Sequence, residues 1–343
     1  MRAIRLALLP IAFFALSAAA DPGVPLRTVI DDFIIPRFRT VAQTTAVQER
    51  AWQSFCADRA HGDVGQLRLA YGEVADAWAN IEFVRIGPAG AEMRAERFNW
   101  WLDRADTVGH ALNAMLVFRD APAAAKISEE SAAQGLPILE RLLYPDDALA
   151  RLRGDSGAWR CAIGEAVAGN VDNLAQSILA DWVSPAGARA AIVANRRWKY
   201  AFIDDNEAGS VLLTDLVAGL ENLHDNKLGL MLRDAMHADS PPLAEDARSG
   251  RSLRDAMLNL AGIERALAPF LTHGSAAQNK QLNTAFDEAM RSLGAIAAAK
   301  NGGERVVQLR AAMTALARLE QTARHIVIVT AGEHSESEDS DDD

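Results

Sequence analysis

The chain has 343 residues, half of them hydrophobic, and its 46 acidic side chains outnumber 35 basic ones to give a formal net charge of -11. This balance argues against a nucleic acid partner, because such partners are recognised through clustered positive charge. The length exceeds what one hydrophobic core usually serves, so we expect two domains. Aromatic residues make up only 6%, and alternating β-branched runs are nearly absent outside residues 326–329, so the composition predicts helices throughout.

The first twenty residues have the layout of a secretory signal peptide. Arg2 and Arg5 precede an apolar run at residues 6–16, and small residues follow at Ala18 and Ala20. The run is too short to span a bilayer, and no later segment has the length of apolar sequence that a membrane span needs. We therefore expect cleavage after Ala20, export of the mature chain to the periplasm, and no membrane span.

Two cysteines occur, Cys56 and Cys161. In an exported chain the economical interpretation is a disulfide that joins two helices. The alternatives are two buried thiols that pack as small apolar side chains, or a reactive or metal-bound pair.

Helical periodicity can be followed along the mature chain. An apolar stripe runs from Leu67 to Ile81, and Asp63 precedes it as a candidate N-cap. Upstream, Pro36 interrupts another stripe and predicts a kink or a fresh helix start. Further helices are predicted at residues 103–118, 156–182, 186–196, 205–236, 252–267, 275–299 and 304–329.

Turn-forming residues divide these helices into two groups of similar size, as an internal duplication would produce. Residues 87–90 end the Leu67 helix, and residues 184–187 end the long helix that carries Cys161. We therefore predict a first helical bundle at residues 21–195 and a second at 196–332.

The last eleven residues, 333–343, form an acidic tail in which seven side chains are carboxylates. Such composition favours a disordered, solubilising segment. Weak collection of hard cations by its oxygens is the alternative.

Several blocks of the chain resemble the imelysin family. Residues 135–140, Gly-Leu-Pro-Ile-Leu-Glu, are similar to its Gly-x-His-x-x-Glu motif, with Pro137 at the histidine position. Residues 67–88, which include Glu82, Arg85, Gly87 and Pro88, resemble its Trp-containing helix that runs into an Arg-x-Gly-Pro turn. The resemblance thus covers more than one motif of the first half.

The resemblance continues into the second half. Residues 99–103, Asn-Trp-Trp-Leu-Asp, resemble the aromatic-acidic segment that follows this turn in the family, and residues 248–253 resemble the family's Arg-Ser-Gly-x-Ser-Leu helix start. Residues 330–332 stand where the family closes with Ala-Gly-Phe-Asn-Ser, but Glu333 and His334 replace the Phe-Asn pair.

The resemblance implies an all-α fold of two four-helix-bundle-like domains packed face to face, with the motif helix lining a groove between them. It also implies a bacterial cell-envelope protein, since family members are associated with iron-regulated uptake. Some members were classed as metallopeptidases on the His-x-x-Glu pair, whose residues share a helix face and grip one metal ion. Pro137 offers no lone pair, so we expect no peptidase activity.

Ten residues are candidates for the groove, and five of them have competing interpretations. Glu140 belongs either to an ordinary helix start, with Pro137 in the first turn, or pairs as a buried carboxylate with Arg85 or Arg248 or with a ligand. Arg85 either recognises an anion or caps carbonyls. The candidates are Glu82, Arg85, Gly87, Pro88, Gly135, Pro137, Glu140, Arg248, Ser249 and Ser252.

Arg248, Ser249 and Ser252 stand at a predicted helix start, where free N–H groups attract anions. We favour a simple N-cap role for Ser249 or Ser252.

Other histidine and acidic patterns favour structural roles. Glu221 and His224 form the one Glu-x-x-His pair, and a di-iron bundle needs a second. We therefore interpret them as part of a surface salt-bridge face with Asp225 and Lys227. His110 and His325 lie in apolar helices and are interpreted as core residues; the list of single histidines is completed by His61, His237, His273 and His334.

The sequence thus predicts a periplasmic, non-enzymatic binding or accessory protein linked to metal or iron acquisition, whose groove holds a small anionic or metal-linked ligand. One alternative is a metallopeptidase with a displaced metal site, for which the sequence supplies no set of three ligands. Another is a structural envelope protein whose groove receives a protein partner, as a peptide or a helix. No cofactor is predicted, apart from a weakly bound metal ion of unknown identity.

Overall fold

The computed structural model describes residues 23–338, apart from 120–121, 124–126, 128–129, 200–204 and 274, and at 23–24, 205–207, 272–273 and 327–338 it describes the backbone alone. Within these ranges the chain is helical and has no β-strand. No described helix combines the length and apolar character that a membrane crossing requires. The predicted signal peptide and the last five residues of the acidic tail lie outside the described residues.

The first half of the chain forms a bundle around two long helices, α2 and α8, which pack along each other. Pro36 lies in the first turn of α2, directly after a π-helical turn at Ile30–Ile34, so the expected fresh start takes the form of a π turn. The helices are α1 (Gly23–Val29), α2 (Ile35–Ala57), α3 (Val64–Ala79), α4 (Arg94–Phe98), α5 (Thr107–Val117), α6 (Leu136–Leu143), α7 (Ala148–Arg153), α8 (Gly157–Val183) and α9 (Ala188–Val193).

Close packing and a covalent link fix α2 against α8. Cys56 and Cys161 form the predicted disulfide, with their Cα atoms 5.6 Å apart. Gly164 of α8 faces the ring of Trp52, and a Cβ at this glycine would lie 2.2 Å from the ring. At the start of α3, the Asp63 side chain accepts a hydrogen bond from the Gly65 N–H at 2.7 Å, which confirms the predicted cap.

The second half of the chain forms the other bundle, in which α13 and α14 pack along each other. The helix predicted at residues 205–236 is interrupted by a π-helical turn at Leu223–Leu228. Ser275 and Gln278 form a capping box at the start of α13. The helices are α10 (Asp205–Asn222), α11 (Gly229–Met236), α12 (Ser252–Leu267), α13 (Ala276–Ala297) and α14 (Gly302–Glu338).

The two bundles meet along a seam where α3 packs against α12. The short α1, at the start of the first half, contacts α10 and the 3₁₀ turn Ala268–His273 of the second bundle. Because each half thus supplies an element to the seam, side chains from distant parts of the sequence come together there.

Two histidines expected in the core are exposed. His110 on α5 and His325 on α14 both lie on the solvent side of their helices. An apolar helix that packs on one face still presents its other face to water. The prediction that these two residues are buried was therefore wrong.

Candidate functional site

The seam buries several ionisable side chains, which is costly unless each carboxylate or ammonium group finds partners. The chain supplies these groups from three places: the turn after α3, helix α6, and the segment from the second π turn to the start of α12. The buried or nearly buried ionisable residues are Glu82, Glu140, Lys227, Glu245, Asp246 and Asp255.

Glu140 reaches the seam on α6 and is 3% exposed. The backbone N–H of Ser249 donates to Glu140 Oε1 at 2.9 Å, and the guanidinium of Arg248 lies 3.8 Å from Oε2. Burial raises the pKa of Glu140, while the Ser249 N–H and the Arg248 charge oppose that rise. Of the partners anticipated for Glu140, the structure therefore selects Arg248, and Pro137 lies in the first turn of α6 as expected.

Three of the groove candidates shape the backbone rather than present polar groups. Gly135 begins α6 with φ at +80°, and a Cβ there would lie 2.3 Å from the carbonyl oxygen of Phe98. Gly87 has φ at +76° and lies against Trp182, and the adjacent Pro88 is buried. These positions hold the turns that carry Glu82 and Glu140 into the seam.

The hydroxyl groups of Ser249 and Ser252 do not cap α12. Ser249 Oγ donates to the carbonyl of Asp246 at 2.8 Å, and Ser252 Oγ donates to the carbonyl of Glu245 at 2.6 Å. The N-cap position is Arg251, whose side chain makes no capping hydrogen bond. The N-cap interpretation was wrong because the preceding turn brings two carbonyl groups within reach of these hydroxyls.

Lys227 is the buried cation of the seam. It lies in the second π turn and is 3% exposed, and its Nζ contacts carboxylate oxygens of Glu82 and Glu245. The same Nζ stands over the Trp101 ring, 5.4 Å from the ring centroid. Burial alone lowers the pKa of Lys227, but Glu245 and Glu82 outweigh it and raise that pKa. The interpretation of Lys227 as a surface residue was therefore wrong.

The rest of the predicted salt-bridge face does lie nearer the surface. Glu221 pairs with Arg324 at 2.9 Å, and His224 Nδ1 lies 2.5 Å from Asp225. Lys227 differs from them because it lies four residues after Leu223 and three before Leu230, on the buried face of the helix.

Amide groups complete the surroundings of Glu82 and Glu245. Asn259 Nδ2 donates to Glu82 Oε1 at 2.9 Å, and Asn99 Nδ2 donates to Glu245 Oε1 at 2.5 Å. Burial and the neighbouring Glu245 raise the pKa of Glu82 to about 7, with Lys227 opposing them. The Glu82 carboxyl group thus changes protonation near neutral pH.

A second polar chain runs from α3 to α12. Tyr71 Oη donates to Asp246 Oδ1 at 2.7 Å, and burial raises the pKa of Asp246 well above its ordinary value. Burial and the charge of Glu245 raise the pKa of Asp255 to about 6. Arg251 contacts Asp255 at 3.4 Å and also pairs with Asp76. These contacts join the two bundles through side chains of opposite halves of the sequence.

Two pockets open beside this network. The Glu140 cleft, of about 340 Å³, is lined by Pro137, Glu140, Arg141 and Arg248 among others. The Glu82 pocket, of about 250 Å³, is lined by Trp78, Glu82, Phe83, Arg85, Asp215 and Asn259 among others. The residues Asn99, Trp101 and Glu245 line both pockets and form the wall between them.

The structure therefore divides the predicted groove residues into two sets. Glu140 and Arg248 face one pocket, whereas Glu82 and Arg85 line the other. Arg85 is half exposed, pairs with Glu96 at 2.9 Å and does not contact Glu140. Its backbone N–H donates to Asp215 at 2.7 Å, as does that of the next residue.

The donor set does not fit a catalytic zinc ion, which takes three protein ligands and a water molecule. Among the described residues, no group of three or more histidine, cysteine, aspartate or glutamate side chains is arranged to hold a metal ion. Glu140 has an N–H group and a guanidinium as neighbours, and Glu82 and Glu245 contact an ammonium group.

The described residues thus define an all-helical protein of two bundles. The seam between the bundles buries polar side chains and opens into two pockets. The chain belongs to the imelysin family, since the family model Peptidase_M75 (Imelysin) matches residues 34–326. No curated protein matches it.

Two solved structures share the fold. An imelysin-like protein from Psychrobacter arcticum 273-4 aligns with a TM-score of 0.71 and 20% identity, over 91% of this chain and 95% of that one. A candidate iron-regulated protein A precursor from Parabacteroides distasonis ATCC 8503 aligns with a TM-score of 0.74 and 14% identity, over 92% and 97%.

Sequence reasoning missed most of the buried polar network. A signal was present in the pair Glu245-Asp246, which comes directly before the Arg-Ser-Gly turn that was recognised. Lys227 and Asn259 each lie at helical spacing from buried apolar residues, but no local pattern identifies their partners. Both contact Glu82, which lies 145 positions before Lys227 and 177 before Asn259.

Proposed function

We propose that this chain is a periplasmic binding or accessory protein, linked to metal or iron acquisition, that holds a small anionic or metal-linked ligand in the Glu140 cleft and has no peptidase activity. The alternative of a metallopeptidase would need a ligand set that the described residues do not supply. The proposal concerns a small ligand because the cleft has a volume of about 340 Å³.

The observation that carries the proposal is the position of Arg248. Its side chain is 31% exposed and lines both the Glu140 cleft and a neighbouring pocket that contains Asp106 and Tyr144. Its one ionic contact, with Glu140, is long at 3.8 Å, and it makes no hydrogen bond to any described residue. A planar guanidinium whose N–H groups have no hydrogen-bond acceptor is suited to bind a carboxylate or a phosphate.

Two other arginines of the cleft are already engaged, and a third, Arg104, is an exposed residue. Arg141 pairs with Asp106 at 2.5 Å and contacts Asp103 at 3.4 Å. Arg233 pairs with its neighbour Asp234 and donates to the carbonyl of Pro241, each at 2.8 Å. Arg248 is therefore the residue on which ligand binding should depend most.

The link with iron and the periplasm rests on other observations. The relative from Parabacteroides distasonis carries a name that refers to iron regulation and to a precursor form. The disulfide of this chain is typical of an exported protein, as is the predicted signal peptide. An anionic chelate of iron is a ligand that can accept hydrogen bonds from Arg248 and that fits a role in iron acquisition.

The proposal is tested by calorimetric titration of the purified protein with citrate and with ferric citrate. We expect one of these probes to bind and the substitution Arg248→Ala to weaken it at least tenfold, or about 1.4 kcal/mol. Arg291→Ala, at an exposed position of α13 outside the cleft, serves as the matched control and should bind as the unaltered protein does.

Two results would overturn the proposal. Absence of binding for both probes, or equal binding by Arg248→Ala, would remove the anion site. Stoichiometric zinc in protein purified without chelator or histidine tag, together with chelator-sensitive cleavage of a protein substrate, would replace it with a metallopeptidase.

A further inference from the structure

We propose that the Glu82 pocket is a second ligand site, which takes a small organic ammonium ion. The site lies across the wall of Asn99, Trp101 and Glu245 from the Glu140 cleft. Its acceptor groups and aromatic walls suit a positively charged ligand, and the inference stands whether or not the cleft binds an anion.

The protein already binds one ammonium group beside this pocket, that of its own Lys227. The Nζ of Lys227 is bound by Glu82 and Glu245 and stands over the ring of Trp101. Glu82 and Trp101 also line the pocket, so a ligand entering from solvent meets two components of the same receptor. Carboxylates combined with aromatic faces are the usual means by which proteins recognise ammonium ions.

Oxygen atoms that accept no hydrogen bond indicate the chemistry of the ligand. Glu82 Oε1 accepts from Lys227 and from Asn259, whereas Oε2 accepts no hydrogen bond from any described residue. Asn259 is 1% exposed, and its Oδ1 has no donor within the described part of the chain. The buried Oδ1 of Asn99 likewise has none. A ligand N–H group supplies the donor that Glu82 Oε2 lacks, whereas the two amide oxygens lie beneath the pocket surface.

The walls of the pocket favour an organic ion over a bare metal ion. Trp78, Phe83 and Trp101 line it, and Trp78 stacks on the Phe98 ring with centroids 4.2 Å apart. These surfaces bury the methylene groups of an alkyl amine. A hard metal ion prefers a shell of oxygen ligands, and no cluster of three or more candidate ligands occurs among the described residues.

The charged groups around Glu82 predict how binding depends on pH. Lys227 from the second π turn, Glu245 from the turn before α12, Asp215 from α10 and Arg85 from the same turn as Glu82 all face it. Arg85 is paired with Glu96. Because the pKa of Glu82 is raised to about 7, its carboxylate forms as the pH rises through that value. An alkyl amine stays charged there, so its affinity should rise between pH 6 and 8.

The inference is tested with n-butylamine as the probe and n-butanol as its neutral counterpart, measured by ligand-observed NMR and calorimetry on the full protein. We expect the amine to bind more tightly at pH 8 than at pH 6, and the alcohol to bind at least tenfold more weakly. A second experiment compares 1,4-diaminobutane, which represents free amines, with Nα-acetyl-lysine amide, which represents a lysine of a protein. The compound that binds more tightly identifies the source of the ammonium group.

A blocking substitution avoids the buried network. Ala218 is an exposed residue of α10 that lines the pocket, so Ala218→Leu fills the pocket while keeping helix propensity. We expect amine binding to fall at least tenfold with no change in the melting temperature. Ala311→Leu, at an exposed position of α14 that does not line the pocket, should leave binding unchanged.

Three outcomes would overturn the inference: no detectable amine binding at pH 8, equal binding of n-butanol, or full binding by Ala218→Leu. The citrate titration and Arg248→Ala report on the other pocket. Failure of the amine site is therefore distinguishable from failure of the proposed function.

Discussion

The two sides of the seam bury a glutamate in different ways. Glu140 is stabilised by a backbone N–H and a distant guanidinium, whereas Glu82 shares a buried lysine with Glu245. The first arrangement leaves a guanidinium whose N–H groups have no hydrogen-bond partner at a cleft, and the second leaves a carboxylate oxygen without a donor at a pocket. Two pockets that share a wall therefore differ in the sign of the ligand that they favour.

The largest effect is expected from Lys227→Met, which breaks the Glu82 side. The substitution leaves two buried carboxylates without a cation, and such losses cost about 3–5 kcal/mol. We expect that decrease in the free energy of unfolding at pH 8, and a smaller one at pH 5, where the carboxyl groups can take up protons. Urea denaturation followed by circular dichroism measures both.

The matched control for this substitution is Lys280→Met, at an exposed position of α13. It should change the free energy of unfolding by less than about 0.5 kcal/mol. A loss below about 1 kcal/mol for Lys227→Met at pH 8 would contradict the role of Lys227 in holding the seam.

A smaller effect is expected from Glu140→Ala on the other side. The substitution leaves the Ser249 N–H without its acceptor, which costs about 1–3 kcal/mol for a buried group. Glu140→Gln retains an acceptor and should lose less. The exposed Glu73→Ala on α3 is the control, and thermal unfolding is the measurement. Equal losses for alanine and glutamine would show that the hydrogen bond from Ser249 is not what Glu140 contributes.

The last effect is a pH dependence of the free energy of unfolding that arises from raised pKa values in the seam. In the folded protein the pKa of Glu82 is raised from 4.5 to about 7 and that of Asp255 from 3.8 to about 6. The folded state therefore holds more protons than the unfolded state in this range, so stability is highest at its acidic end and falls as the pH rises towards 7. The slope is at most about 1.4 kcal/mol per pH unit for each proton.

Melting temperatures recorded from pH 5 to pH 8 measure this slope, and Glu82→Gln should flatten it between pH 6 and 7. Carboxylates with lowered pKa values, such as Asp76 and Asp181, act in the opposite sense but only at more acidic pH. A melting temperature that rises steadily from pH 5 to pH 8 would be incompatible with these protonation states.

Local features of the fold could be predicted because local chemistry decides them. The Asp63 cap and the place of Pro137 in the first turn of α6 follow from backbone hydrogen bonding and proline geometry. The disulfide followed from the count of cysteines and the expected export.

The arrangement of the seam could not be predicted in the same way. Helical spacing places Lys227 on the buried face, but no residue pattern in the sequence reports that its partners are Glu82 and Glu245. The hydroxyls of Ser249 and Ser252 bond to carbonyls that only the folded turn brings near. The wall between the pockets joins Asn99 to Glu245, which are separated by 146 positions. Such contacts are decided by tertiary packing.

The cysteine pair has a consequence for how the chain responds to cleavage. Cys56 and Cys161 are separated by 105 positions, and the residues between them include Glu82, Asn99 and Glu140. A protease that cuts one peptide bond in this interval yields two fragments that remain a single covalent molecule until the disulfide is reduced. Both pockets would then keep all of their first-bundle side chains attached, so loss of an intact band on a reducing gel need not mean loss of either binding site.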